Sequence, residues 1–136
     1  MRALIERGGR TLKERVFKDE HGRKVSVRVT KSNIQIHTEE KKIIDYRFYL
    51  DSDEILHYLK EQATRIWKSF HPKEADSLSS DYFEFYDRRT DANGYLEYRN
   101  EMLIFESPSE ETTLLYQFNK RRMESFIYDM GSWFNL

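Results

Sequence analysis

Cations and rings are mixed through the first fifty residues: Lys13, Arg15, Phe17, Arg23, Arg28, His37, Arg47 and Tyr49. Single-stranded nucleic acids require that mixture. Lys and Arg neutralise phosphates, while ring faces stack bases without reading their sequence, at about 1–3 kcal/mol per stacked base. If Val25, Val27 and Val29 face a core, then Ser26, Arg28 and Thr30 face outward. Lys13, Arg15 and Phe17 would lie beside them, with His37 and then Arg47 and Tyr49 on the following strands. The competing reading is a solvated sheet face whose charges only discourage edge-to-edge association.

A second cluster is Lys120-Arg121-Arg122. Three cations in the first turn of a helix oppose its macrodipole, at about 0.3–1 kcal/mol for each exposed charge. An anion would relieve this, with free backbone N–H groups and the three side chains converging on a phosphate or a partner's carboxylate. Otherwise the side chains reach back to Glu124 or out to water. Asp51, Ser52, Asp53 and Glu54, at the start of the preceding helical stretch, obey the dipole rule instead.

Catalysis finds little support. His21, His37, His57 and His71 are scattered without metal-ligand spacing, and no glycine-rich phosphate loop or nucleophile elbow is present. Glu84, Asp87, Glu97, Glu106, Glu110 and Glu111 read as solvated strand carboxylates. No catalytic residue, metal site or cofactor is expected. With no cysteine, disulfides and thiolate chemistry are excluded. The rings of Tyr82, Phe83, Phe85, Tyr86, Tyr95 and Tyr98 suit cross-strand packing, and those left outside would suit a protein or a base.

The elements that must position these groups follow from periodicity. In 136 residues, 38% hydrophobic and 35% charged content marks a folded chain, and 15% aromatic content favours sheets. One domain spanning 1–136 is expected. Thr11 to Lys18, Val25 to Val29, Ile34 to Ile36 and Ile44 to Leu50 read as four strands, with turns at Glu20–Arg23 and Lys31–Asn33. Asp51 and Glu54 resemble a capping box, and Ile55, Leu56, Leu59, Ala63, Ile66 and Trp67 form a helical stripe that must end before Pro72. After a polar connection from His71 to Asp81, the order repeats. Tyr82–Asp87, Tyr95–Arg99, Met102–Glu106 and Thr113–Phe118 read as strands, with a hairpin turn at Asp91–Gly94. Asn119 caps a helix with a stripe of Met123, Phe126, Ile127, Met130, Trp133 and Phe134.

A shift of seventy places superposes Ile34 on Ile104, Ile44 on Leu114, Tyr46 on Tyr116 and Phe48 on Phe118. A few residues of slip in the loops bring Val27 and Val29 near Leu96 and Tyr98, and Trp67 near Trp133. The expected fold is therefore α+β: a tandem strand-strand-strand-strand-helix repeat, with pseudo-repeats at 11–70 and 82–136, whose uncovered apolar faces cover each other.

Phe17 to Val29 (FKDEHGRKVSVRV) resembles the first hairpin of the transcriptional positive-cofactor domain, and Phe48 to Gln62 (FYLDSDEILHYLKEQ) resembles its last strand and helix. The element order is similar to that of the Whirly proteins and the Pur repeats. These stretches cover about a fifth of the chain. The resemblance implies a single-stranded-DNA-binding regulator.

Charge distribution agrees with a polyanionic partner for the first part. Net charge is −1, yet Met1 to Asn33 holds ten Lys and Arg against four acids, a surplus of six that leaves −7 for the remainder. The N-terminus lacks an apolar leader and no apolar run spans a bilayer, so a cytoplasmic location without a membrane partner is expected. The expected function is binding of single-stranded DNA or RNA. The alternative is a protein-interaction module, such as an adaptor or toxin-neutralising protein, using the acidic second half and its rings.

Overall fold

Strict alternation of Val25, Val27 and Val29 with polar residues demands a strand with one buried face, and all three valines are buried. A computed structural model describes residues 5–6, 9–41, 45–76 and 81–134, with the backbone alone at 5–6, 9–10 and 133. The first part contains β1 (Ile5–Glu6), β2 (Gly9–Arg10), β3 (Lys13–Lys18), β4 (Lys24–Val29), β5 (Ile34–His37), β6 (Tyr46–Tyr49) and α1 (Glu54–Ile66). The second contains β7 (Glu84–Asp87), β8 (Ala92–Arg99), β9 (Met102–Glu106), β10 (Leu114–Phe118) and α2 (Lys120–Trp133). The short β1–β2 pair has no counterpart in the sequence reading.

The fold is α+β, with two helices and two four-stranded antiparallel sheets, ordered β10-β5-β4-β3 and β6-β9-β8-β7. Each sheet takes three consecutive strands from one part of the chain and its fourth from the other. Tyr116 and Phe118 of β10 thus stand opposite Ile36 and Ile34, as Tyr46 and Phe48 of β6 stand opposite Phe105 and Leu103. All eight are buried.

These pairings correct the seventy-place superposition at one element. Ile34 is buried opposite Phe118, whereas Ile104 lies half-buried on an outer face, opposite Arg47. The connection to the last strand differs by one residue, and in a strand one residue exchanges the faces. Ile44 lies outside the described residues, as does the side chain of Trp133.

The inner faces, α1 and α2 share one apolar core. β10 crosses β7, β8 and β9, bringing Tyr116 edge-on to Phe85 at 4.7 Å. Tyr58 of α1 meets Phe17 at 5.5 Å, and Phe126 of α2 meets Phe118 at 5.1 Å. A bulge at Leu115 lets Leu114, Leu115 and Tyr116 all be buried.

Local chemistry fixes the turns and caps. The Asp19 carboxylate accepts the His21 and Arg23 N–H groups at 2.9 Å, with Gly22 at φ +85°. Its other oxygen accepts the Tyr49 N–H at 3.0 Å, tying this hairpin to β6. Asp87 serves the second hairpin similarly, accepting the Arg89 N–H at 3.1 Å and the Thr90 hydroxyl at 3.3 Å.

That second turn occupies Arg88–Asp91, not the expected Asp91–Gly94. Gly94 lies within β8 because the Phe85 ring rests on it, and a Cβ there would fall inside van der Waals contact. At α1 the N-cap is Asp53 without a side-chain bond, so the capping box expected from Asp51 does not form. At α2, Asn119 accepts the Arg122 N–H at 2.9 Å, as its type and position imply.

Candidate nucleic-acid interface

Strand pairing decides which expected binding residues share a surface. Arg15 and Phe17 stand opposite Val27 and Val25, and Lys13 stands opposite Val29, so all three lie on the core side of β3. Phe17 is buried, and Arg15 leans over the Phe17 and Tyr58 rings at 4.5 and 5.3 Å and pairs with Glu54 at 3.3 Å. Arg28 lies on the opposite face. The expected grouping of Lys13, Arg15 and Phe17 beside Arg28 is corrected: a residue opposite a core valine in a regular ladder must share its face.

Arg47 and Tyr49 belong to the other sheet, because β6 crosses to pair with β9. Arg47 pairs with Asp45 at 3.3 Å, and Tyr49 packs against His21 at 4.3 Å. Arg23 lies over Tyr46 at 5.1 Å, and that tyrosine's hydroxyl donates to the Lys24 carbonyl at 2.7 Å. Among the eight expected residues, Arg28 and His37 share the outer face of β10-β5-β4-β3, while Arg47 and Tyr49 share that of the other sheet.

The helix-end cations are also corrected. Arg121 pairs with Asp76, and lies 3.6 Å from Asp81, both on the connection between the two parts. The Arg122 Nε donates to the Glu84 carbonyl at 3.1 Å. Two of the three side chains therefore diverge toward the chain's own acceptors. Buried Glu124 accepts the His71 N–H at 2.9 Å, so α2 fastens the connection at a second point.

The outer face of β10-β5-β4-β3 carries Glu14, Val16 and Lys18 from β3, Lys24, Ser26 and Arg28 from β4, Gln35 and His37 from β5, and Gln117 from β10. Lys18 and Lys24 stand directly opposite each other, an arrangement that disfavours the isolated sheet. Among the described residues neither has a carboxylate partner. Arg28 donates to Glu14 at 3.0 Å, and Ser26 donates to the same carboxylate. Burial works against ionisation of Glu14, but the bonds from Ser26 and Arg28 prevail and hold its carboxyl below the ordinary range.

The floor of this face is polar and buried. His37 Nε2 lies 2.9 Å from Gln35 Oε1, and Gln35 Nε2 donates to Gln117 Oε1 at 3.1 Å. His37 and Gln35 are 4% and 3% exposed. Burial first, then the Arg28 and Arg89 charges, pushes the imidazole down to about 3, so it is neutral. Beside the floor, Gln35 and Gln117 join Phe85, Tyr86, Asp87, Arg88 and Arg89 around a cavity of about 640 Å³. Tyr86 is 56% exposed. Neither glutamine, nor Arg88 or Arg89, is singled out for binding from sequence, whereas Tyr86 belongs to the ring cluster whose outward members would suit a protein or a base. Outward-facing Gln35 and Gln117 could have been noted, since each sits between core residues of its strand.

The other outer face is differently built. Asp45, Arg47, Phe83, Tyr95, Glu97, Arg99, Ile104 and Glu106 line a cavity of about 450 Å³. Arg99 pairs with Glu97 at 3.2 Å, so both of its cations are engaged. Among the described residues no three His, Asp or Glu side chains converge on a metal position, and no helix is long and apolar enough to cross a membrane.

No protein-family model matches the chain, and comparison with curated proteins and with solved structures returns no match.

Proposed function

We propose that the protein binds single-stranded nucleic acid, without catalysis, on the outer face of β10-β5-β4-β3 and the adjoining Arg88–Asp91 turn. One observation carries the reading: the opposed, unpaired lysines Lys18 and Lys24 lie on the same face as a polar recess flanked by Arg88, Arg89 and the exposed Tyr86 ring. A polyanion relieves the lysine repulsion, and a ring beside the recess gives a base its stacking surface.

The fold-level part of the proposal is that 11–70 and 82–136 are equivalent units of Whirly or Pur type, each lending its last strand to the other. The matching partners of Tyr46 and Tyr116, and the matching hairpin roles of Asp19 and Asp87, support it.

Fluorescence anisotropy with a labelled single strand at two salt concentrations tests the function. Binding should weaken with salt, and Lys18→Ala should lower the slope of log K against log salt by about 0.7 for one lost phosphate contact. Absent or salt-independent binding would overturn the proposal. A second reading, a protein partner at the other outer face, is favoured by Phe83, 44% exposed beside Tyr95 at 5.6 Å.

A further inference from the structure

The recess beside β10 has a direction built into its hydrogen bonds. Gln35 Oε1 can only accept, so the His37 Nε2 facing it carries the ring proton. The Gln35 amide nitrogen then donates to Gln117 Oε1, which takes one lone pair of that oxygen and leaves the Gln117 Nε2 N–H groups, beside the cavity, without a partner among the described residues. His37 Nδ1 is buried without a partner, so the imidazole is held by the Gln35 contact alone among its ring nitrogens. The rim adds more donors. Arg88 and Arg89 present only N–H groups, and Asp87, the one carboxylate there, already serves the Arg89 N–H, the Thr90 hydroxyl and the Arg89 guanidinium at 3.7 Å.

Resting on the proposed single-strand binding, we infer that this recess is a nucleobase subsite that favours bases with carbonyl-rich edges, guanine, thymine and uracil, over adenine and cytosine. Guanine presents O6 and N7 as adjacent acceptors, and thymine and uracil present O4, each complementary to donors on Gln117, Arg88 and Arg89. Adenine and cytosine place an exocyclic NH₂ on the corresponding edge, where it meets N–H groups and leaves donors unpaired. Tyr86, at the recess and exposed, supplies the ring for stacking. A solvated sheet face has no need of a buried, directional amide chain, whereas selection between base edges does.

The test uses the intact chain and four labelled single strands of equal length: oligo-dT, alternating dT-dG, oligo-dA and oligo-dC, by anisotropy at fixed salt. Oligo-dT and the dT-dG strand should bind about tenfold more tightly than oligo-dA and oligo-dC. Gln117→Glu keeps an acceptor for Gln35 but replaces the donor with a carboxylate, and should bring the four strands within about twofold or reverse their order. A combined Arg88→Ala and Arg89→Ala variant, altered only in the turn, should narrow the preference as well and serves if the Gln117 variant does not fold. Salt-dependent binding with no base preference would overturn the subsite while leaving single-strand binding intact. A preference unchanged in both variants would also overturn it, and absence of binding to all four strands would sink both.

Discussion

The two outer sheet faces carry charge differently. On β6-β9-β8-β7 each cation has a carboxylate within 3.3 Å, Arg47 with Asp45 and Arg99 with Glu97. On β10-β5-β4-β3, Lys18 faces Lys24 and the centre is a buried chain of imidazole and amides. Exposed ion pairs contribute little and satisfy themselves. Like charges held opposite each other cost stability, and such an arrangement makes sense when something outside the chain completes it. The contrast teaches that cation number alone does not mark a polyanion-binding face; what matters is whether the fold supplies the counter-charges.

The largest expected difference between the faces is in acid. His37 is neutral in the folded protein down to about pH 3, whereas in the unfolded chain it takes up a proton near its ordinary 6.5. The unfolded state therefore binds more protons between these values. The stability that neutral His37 confers is complete above about pH 6.5 and is lost as pH falls toward 3, by up to about 1.4 kcal/mol per pH unit. Urea midpoints from pH 7 to 4 should fall less steeply in His37→Gln than in the parent chain. Equal slopes would show that the imidazole is not held neutral.

Next comes charge reversal. Lys18→Glu with Lys24→Glu should weaken single-strand affinity about 100-fold, through lost phosphate contacts and added repulsion. The matching change on the other face, Arg47→Glu with Arg99→Glu, should leave it within about twofold. Titrations of the two double variants side by side would reverse the assignment if the second lost affinity and the first did not.

Gly94→Ala tests the wall of the recess. Its Cβ would displace the Phe85 ring, which is packed between Gly94 and Tyr116, at a cost of about 1–3 kcal/mol in denaturant unfolding. No loss of stability would mean that the ring moves freely. The smallest effect is expected from Arg121→Ala, which removes the ion pairs to Asp76 and Asp81 on the connection. Oligonucleotide affinity should be unchanged; a clear loss would return the start of α2 to the binding surface.

The α+β class, most strands and both helical stripes were legible because each needs only local periodicity. Val25, Val27 and Val29 declared a half-buried strand without reference to any partner. The site was less legible, because it depends on which strands become neighbours. Arg15 and Arg28 lie on adjacent strands, but their relative face depends on hairpin register, and a shift of one residue would have put them together. Arg47 was lost to the first sheet because β6 crosses to β9, which no local pattern announces. Gly94 reads as a turn residue until the Phe85 ring is placed upon it. Gln35 and Gln117 lie 82 positions apart in sequence and become a pair only once β10 joins β5.

Mapping amide chemical shifts during titration with an unlabelled oligo-dT tests the choice of face most directly. Shifts should concentrate on Lys18, Lys24, Ser26, Arg28, Gln35, Gln117 and the Arg88–Asp91 turn, and leave Arg47, Tyr95, Glu97 and Arg99 unmoved. Perturbation concentrated on Arg47, Tyr95 and Arg99, with β3 and β4 silent, would contradict it.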